Sequence, residues 1–361
     1  MTPEQIQLAR HRLILGITNV GFWVLGSGAG LTWLVICQPS ALSLILTLAI
    51  IASIIATQAV FDFIGGLTLM PEPRPALMPF LHSFARGVLG HSLVLTAVGI
   101  VSAISLQQTK GFGLGILFAT LALALGRRIL LTTIGGAAIN ELTQGGKKIL
   151  ASTDHDPAAT GGIIGIGLRS QSLLPAHWLD NLPKPELATE LSRRQWQINH
   201  SLHTRALLFI LIWNLLGTFL GTQIFDLSER HISIALFGHA CWMTLWAFAS
   251  LLVLPVLSRS AVFASDRATA DSGHDPRPWI MHFPNLIGED GNPAPTIQTI
   301  FYPIPSATMR LHALEVPNHR FVLGSLARNN LYYSWATLTL LGRAVHCNVG
   351  RPSLWVFPPS A

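Results

Sequence analysis

The stretch LPKPELATELSRRQWQINHSLHTR, from Leu182 to Arg205, directly precedes a long apolar run. Pro183 and Pro185 lie where a helix would begin, because proline is tolerated in the first helical turn. Further residues recur at helical spacing: Glu186, Leu187, Glu190, Leu191 and Ile198. The sequence therefore predicts a helix that starts near residue 183 and leads into a membrane span.

The composition of the chain indicates a membrane protein. Of its 361 residues, 50% are hydrophobic and only 11% are charged, and the mean hydropathy is +0.49. A soluble domain carries about a quarter charged residues. The three cysteines, Cys37, Cys241 and Cys347, are far apart in sequence, so neither a CxxC metal site nor a disulfide framework is indicated.

Six apolar runs are long enough, or nearly so, to cross a bilayer: Leu13 to Ile36, Ala41 to Phe61, Gly87 to Leu106, Phe112 to Leu125, Ala206 to Phe225 and Ile232 to Val256. The first run has a cleaved signal peptide as its competing interpretation. The fourth is shorter than the usual minimum of about 17 residues. It has to continue into Arg127 and Arg128, whose side chains we expect to extend to the membrane interface.

The distribution of basic residues predicts the orientation of these spans. With the N-terminus inside, only Lys110 and Arg230 of the 23 Lys and Arg residues lie outside. Because Lys and Arg in short loops are retained in the cytoplasm, we predict a multi-pass protein of the bacterial inner membrane with both termini cytoplasmic. This topology also explains the formal net charge of +6 without nucleic acid as a partner.

We divide the chain into a transmembrane region (1–128), a cytoplasmic region (129–204), a helix pair (205–256) and a second cytoplasmic region (257–361). Residues 147–175 have the β-rich, glycine-punctuated pattern of a strand pair. The last region ends in an aromatic, proline-containing tail that either docks onto a partner or packs back on the domain. It contains Tyr332, Tyr333, Trp335, Trp355, Phe357, Pro358 and Pro359.

The predicted helix resembles the active-site helix of membrane zinc metallopeptidases of the HtpX and CAAX-prenyl-protease type. That helix reads roughly L-x-x-x-E-L-x-x-V-L-x-H-E-x-x-H, followed by a hydrophobic residue. Laid over this sequence without a gap, it matches at Glu186-Leu187, at Leu191 and at Ile198. The resemblance places the two metal-ligand histidines on Arg193 and Gln197, and the general-base glutamate on Arg194.

Two later segments extend the resemblance to roughly residues 145–315. The family pattern S-R-x-x-E-x-x-A-D matches at Ser258, Arg259 and Asp266, but Val262 stands where the family has its third zinc ligand. The pattern H-P-x-x-x-x-R-I-x-x-L matches at three further positions: Pro305, Arg310 and Leu314. The resemblance implies a mainly α-helical polytopic membrane protein with a cytoplasmic metallopeptidase-like α+β domain.

The substituted residues cannot perform zinc chemistry. Arginine is protonated at all accessible pH values and has no lone pair to offer a metal. Glutamine is a poor zinc ligand, and valine is none. The chain contains no HExxH motif at any position. We therefore predict that the protein holds no catalytic metal or other cofactor, and that Arg193, Arg194, Gln197 and Val262 mark a degenerate site.

Two alternatives remain open from the sequence. His200 and His203 stand three residues apart and are weak metal candidates, with interfacial histidines as the simpler interpretation. Arg193 and Arg194, next to Trp196, form either an anion-binding cleft or ordinary ion pairs with Glu186 or Glu190 at helical spacing.

The expected binding residues are Arg193, Arg194, Trp196, Asp266 and Arg310. The most consistent function is a non-catalytic regulator, assembly factor or subunit of a membrane complex that binds another membrane protein or a peptide segment. The alternative is a metal-dependent membrane peptidase or hydrolase with a non-standard site. A transporter is disfavoured because the spans contain almost no ionisable residues.

Overall fold

A computed structural model describes residues 2–71, 74–144, 147–316 and 321–360. Six of its helices are long and apolar enough to cross a membrane. They are α1 (Pro3–Cys37), α2 (Leu44–Phe63, continued by a π-helical turn at Ile64–Thr68), α3 (Leu77–Thr109), α4 (Gly113–Leu130, continued by a π-helical turn at Leu131–Gly135), α7 (Leu202–Ile224) and α8 (Ile232–Asp271). Each predicted span overlaps one of these helices, but α1 and α3 begin earlier than the predicted spans, at Pro3 and Leu77, and α8 ends later, at Asp271.

The fourth span is complete, but one of its arginines does not extend to the interface as predicted. With its π-helical turn, the helix has 23 residues and passes through Arg127 and Arg128. Arg128 is half-exposed, whereas Arg127 is buried. Arg127 donates to the carbonyl oxygen of Val356 from Nε (3.1 Å) and Nη2 (2.9 Å), so protein atoms replace water as its partners.

Between the fourth and fifth spans lies a small four-stranded sheet, larger than the predicted strand pair. Its strands are β1 (Ile139–Gln144), β2 (Lys147–Ser152), β3 (Gly162–Ile164) and β4 (Gln171–Pro175), in the order β1-β2-β4-β3. The pair β2 and β4 is parallel, while β1–β2 and β4–β3 are antiparallel. Strand β3 is therefore an edge strand beside the helices that follow.

The remaining helices are short and follow the sheet and the last span. They are α5 (Ala176–Asn181), α6 (Lys184–Asn199), α9 (Arg277–Ile287), α10 (Pro295–Phe301), α11 (Ala307–Glu315), α12 (Leu326–Tyr333), α13 (Leu341–Ala344) and α14 (Pro352–Val356). Helix α6 matches the helix predicted from residue 183. It is separated from α7 by Ser201, whose φ of 54° is left-handed.

Helix α8 continues far beyond the predicted end of the sixth span at Val256. Its 40 residues correspond to a length of about 60 Å at 1.5 Å per residue. The extra turns carry Ser258, Val262 and Asp266 away from the apolar part of the helix and against α6. A membrane-spanning helix thus positions one wall of the candidate site.

Residues Leu326–Ser360, here called the inserted segment, pack back on the molecule, which is one of the two arrangements that the sequence left open for the aromatic tail. No residue of the segment is exposed. The ring of Trp335 lies 4.5 Å from that of His91 in α3, and Thr339 contacts Thr244 in the sixth span. Irregular backbone is tolerated among membrane spans only where protein covers it, and here the six helices provide that cover.

Polar anchors hold the inserted segment among the spans. Asp62, at the end of α2, pairs with Arg343 at 2.5 Å and accepts a hydrogen bond from the backbone N–H of Gly350. Asn19 of α1 donates to the carbonyl oxygen of Ala344. The large rings of the segment, Tyr332, Trp335 and Trp355 among them, are fully buried and belong to the main hydrophobic core.

Candidate functional site

The apolar face of α6 fixes its position against the sheet and α9. Leu187 and Leu191 pack into a cluster with Trp178 and Trp279. This packing turns the opposite face of α6 toward α8, so Glu190 and Arg193 face Asp266 across the contact. The amphipathic pattern of α6 therefore brings Arg193 into contact with Asp266 of α8.

Three arginines and two carboxylates form a buried ion-pair network at this contact. Arg193 donates from Nη1 to Glu190 (2.7 Å) and from Nε to Asp266 (2.8 Å). Arg310, on α11, donates to both oxygens of Asp266 at 2.8 Å. Arg193, Glu190, Asp266 and Arg310 are each no more than 1% exposed. Such burial is stable only when every charge has a partner.

The electrostatics of Arg193 favour its charged form. Burial lowers the pKa of this guanidinium, but the Asp266 and Glu190 carboxylates outweigh burial and raise the pKa above its ordinary value. Its third nitrogen, Nη2, faces Ser265 Oγ at 3.4 Å. Every side-chain nitrogen of Arg193 thus has a protein partner, and none is left for an external anion.

Arg194 connects α6 to the sheet. It donates from Nε to Glu190 (2.6 Å) and from Nη2 to the carbonyl oxygen of Thr160 (2.6 Å), and from Nη1 to the carbonyls of Gly162 and Leu173. Burial lowers its pKa, and Glu190 partly restores it. Arg193, Arg194 and Arg310 share only two carboxylates, Glu190 and Asp266. The backbone carbonyl groups around Arg194 therefore provide the additional negative charge density that its guanidinium needs.

The sequence alternative of ion pairs at helical spacing is confirmed for one carboxylate. Glu190 accepts from both Arg193 and Arg194, as the spacing of three and four residues allows. Glu186 does not join them, because it accepts from His282 Nδ1 at 2.7 Å instead. The predicted anion-binding role of Arg193 and Arg194 has no free nitrogen to support it in this arrangement.

Two predicted binding or metal residues lie outside this network. Trp196 faces a surface groove with Leu191 and Asn199, so the structure does not bring it to Arg193 and Arg194. The exposed ring of His200 packs 4.5 Å from that of Trp196 and contacts its carbonyl oxygen. His203, in contrast, is buried and lines the cleft described next.

The cleft lies between the end of α6, the start of α7, an interior part of α8 and the inserted segment. Its walls include Arg194, Gln197, His203, Val262, Asn329 and Phe357. Three of the four degenerate positions therefore share one cavity, as the resemblance implied, while Arg193 is buried behind them. The cavity that remains has a volume of about 40 Å³, which is room for a few water molecules.

The cleft offers no metal site within the described part of the chain. No three His, Cys, Asp or Glu side chains there lie close enough to hold an ion. His203 is the single histidine in the lining, and Glu190 is the single carboxylate, already shared between two arginines. The donor set is dominated by guanidinium groups, which repel a cation.

Sequence reasoning missed the residues that close the cleft from the other side. Arg127 and Phe357 line it, although they are separated by 230 positions in the chain. The sequence signals for them were an arginine at the end of a short span and an aromatic residue before two prolines. Nothing in the sequence pattern indicated that these features meet.

A second buried cluster lies behind the cleft. Arg328, which also lines it, donates to Glu289 at 2.6 Å, and His346 contacts the same carboxylate oxygen at 3.3 Å. Burial alone would raise the pKa of Glu289, but Arg328 and His346 outweigh it and lower the pKa to about 2. Glu289 is therefore ionised at any ordinary pH and fixes the position of Arg328.

No family model and no curated protein matches the sequence. A solved structure does: the crystal structure of S. mikatae Ste24p is similar to this chain with a TM-score of 0.58 and 12% sequence identity. The likeness covers 82% of this chain and 81% of Ste24p, a membrane protease of the CAAX-prenyl-protease type. At this identity it shows the fold alone. The chain has the fold of a metallopeptidase-like polytopic membrane protein.

Proposed function

We propose that this protein is a catalytically inactive metallopeptidase-like membrane protein. It binds a polypeptide segment and acts as a regulator, assembly factor or subunit of a membrane protein complex. The observation that carries the proposal is the buried network of Arg193, Glu190, Asp266 and Arg310, in which Arg193 occupies a position that the resemblance assigns to a metal ligand. A guanidinium group in that position has no lone pair for a metal.

The remaining shape of the site supports binding rather than catalysis. An edge strand, β3, and the helix α6 still enclose a cleft next to the degenerate positions. A cleft beside a sheet edge can hold an extended polypeptide by backbone hydrogen bonds, without any reacting group. The fold likeness alone does not identify the partner.

Metal content and partner capture test this proposal together. Protein purified from native membranes in mild detergent is expected to contain no stoichiometric zinc and to retain a stoichiometric membrane protein, identified by mass spectrometry. An unrelated six-span protein purified in the same way is the control. Metal at near-unit stoichiometry, lost in His203→Ala together with cleavage of a model membrane substrate, would establish the alternative of a non-standard peptidase. A protein that elutes alone would remove the subunit role.

The proposed topology places the protein in a bacterial inner membrane with both termini in the cytoplasm. Its support is that, of the 23 Lys and Arg residues, only Lys110 and Arg230 lie in the three loops assigned to the outside. Single cysteines at these positions, in a chain whose exposed Cys37 is replaced by serine, are expected to react with a membrane-impermeant maleimide in intact cells. A cysteine at Arg277 is the matched control and is expected to react only after lysis.

A further inference from the structure

The last described residues of the inserted segment lie in the cleft itself. Phe357, Pro358 and Ser360 line the cavity beside Arg194 and Val262. Residues Phe357 to Pro359 are buried, with Phe357 only 3% exposed. The cleft is therefore occupied by a stretch of the protein's own chain, and the occupant shows which chemistry fits.

Arg127 forms the part of the site that holds the aromatic residue. Its guanidinium carbon lies 3.9 Å from the centre of the Phe357 ring, and its Nε and Nη2 donate to the carbonyl oxygen of Val356. Arg127 also donates from Nη1 to Asn329 at 3.1 Å, which fixes the plane of the guanidinium. A buried guanidinium is attracted to the face of an aromatic ring. Its hydrogen bonds to the Val356 carbonyl oxygen also fix the orientation of the segment.

Two glycines, Gly161 and Gly162, also line the cleft. Gly161 has a φ of +67°, and a Cβ built there would lie 2.1 Å from the carbonyl oxygen of Leu173, so no larger residue fits. The neighbouring Gly162 presents bare backbone to the ring of Phe357, with a Cβ position 3.4 Å away. The aromatic ring thus contacts both the Arg127 guanidinium and the position where Gly162 leaves room for it.

The two prolines suit a buried extended segment because they lack N–H groups. The N–H of Phe357 donates to the carbonyl oxygen of Ser353, and the N–H of Ser360 donates to Thr160 Oγ1 at 3.0 Å. Pro358 and Pro359 have no N–H to satisfy. Every backbone donor from Phe357 to Ser360 is thereby either paired or absent, as burial requires.

We propose that the cleft is a recognition site for an extended polypeptide segment with an aromatic residue followed by prolines, and that Phe357–Ser360 fills it intramolecularly. A partner segment of the same chemistry has to displace this occupant. The inference rests on the proposed polypeptide-binding function and specifies the ligand class and the competition that controls access to the site.

The probe for the test is a fluorescently labelled peptide with the sequence of Leu354 to Ala361, LWVFPPSA. Fluorescence anisotropy is measured with the full chain and with a variant that lacks residues 357–361, both in the same detergent. We expect binding to the shortened variant to be at least tenfold tighter than to the full chain. The peptide LWVAPPSA is expected to lose that binding, because it lacks the ring that contacts Arg127.

A reversible disulfide crosslink, here called the lock, allows a second measurement in which no residues are removed. In Thr160→Cys/Ser360→Cys, a disulfide would hold the segment in place, since the two residues are joined by a 3.0 Å hydrogen bond. Phe357→Ala is added to this variant to weaken the binding of the protein's own segment in the cleft. The reduced form of the triple variant is then expected to bind LWVFPPSA, and the oxidised form is expected to exclude it. Phe321→Ala, which changes an exposed phenylalanine, is the matched control and should bind no more peptide than the native chain.

Equal binding of LWVFPPSA and LWVAPPSA, or equal binding by oxidised and reduced lock variants, would overturn the inference. So would failure of the peptide to bind a shortened variant that still unfolds cooperatively. In those cases a membrane partner recovered from native membranes would leave the proposed function standing. Metal-dependent cleavage of the peptide would instead overturn the proposed function.

Discussion

Arg310 donates two hydrogen bonds, each 2.8 Å long, to the carboxylate of Asp266. Asp266 also accepts from Arg193, so one carboxylate of α8 joins α6 and α11. Ion pairs thus join α6 to α8 next to Arg193, a position that the resemblance assigns to a metal ligand.

The first prediction concerns the carboxylate at the centre of this network. Asp266→Asn removes its charge and leaves Arg193 and Arg310 buried without a full counter-ion. Removing one partner of a buried ion pair costs about 3–5 kcal/mol. We therefore expect a large fall in the midpoint of thermal unfolding in detergent, measured by intrinsic fluorescence.

The matched control for Asp266→Asn is Asp275→Asn. Asp275 pairs with Arg277 on the surface, with both side chains more than half exposed. Exposed pairs contribute about 0–1 kcal/mol, so this variant should unfold close to the native protein. Equal effects of the two substitutions would show that the buried network does not stabilise the fold.

The second prediction is a pH dependence from Asp154. Partial burial, together with the neighbouring Asp156 carboxylate, raises the pKa of Asp154 to about 7. A carboxyl whose folded pKa lies above its unfolded value stabilises the fold at low pH and loses that contribution as the pH rises from about 4 to about 7. Glu289, with a pKa of about 2, stays ionised throughout this range and does not obscure the effect.

Asp154→Asn is therefore expected to be more stable than the native protein at pH 8 and nearly equal to it at pH 4.5. Unfolding midpoints measured across pH 4.5 to 8 test this. Asp180→Asn, which changes an exposed aspartate on the same domain, should leave the pH profile unchanged. A profile of Asp154→Asn that runs parallel to the native one would contradict the assignment.

The third prediction separates two adjacent arginines. Arg127→Lys keeps the positive charge but removes the planar fork that reaches both the Val356 carbonyl and Asn329. Loss of buried hydrogen bonds of this kind costs about 1–3 kcal/mol. Arg128→Lys, on the partly exposed side of the same helix turn, is expected to be neutral. Limited proteolysis near residue 356 and thermal unfolding both report the difference.

The fourth prediction uses two glycines that share a left-handed backbone but differ in surroundings. Gly161→Ala places a Cβ 2.1 Å from the carbonyl oxygen of Leu173, whereas Gly167→Ala meets nothing within 4 Å. We expect Gly167→Ala to cost only about 1 kcal/mol from backbone strain. Gly161→Ala should reduce the yield of folded protein sharply, as size-exclusion chromatography in detergent would show. Similar yields would mean that the loop at Gly161 can move away from β4.

The six membrane spans follow from the sequence, because a long run without charges must satisfy its backbone hydrogen bonds as a helix inside the bilayer. The sequence also predicts that Arg193 and Val262 cannot serve as zinc ligands and that Arg194 cannot serve as a general base, since that follows from the chemistry of the side chains. The pairing of Glu190 with Arg193 and Arg194 was among the alternatives, because it depends only on helical spacing.

The contacts that these residues make depend on the tertiary structure. Arg127 finds its acceptor 229 residues away at Val356, and Asp266 finds Arg310 from a different helix 44 residues later. The packing of the aromatic segment Leu326–Ser360 among the spans, where it fills the cleft, also depends on the tertiary structure. Contacts at such separations depend on how the helices and the sheet pack, and a periodic pattern in the sequence carries no information about the partner across the interface.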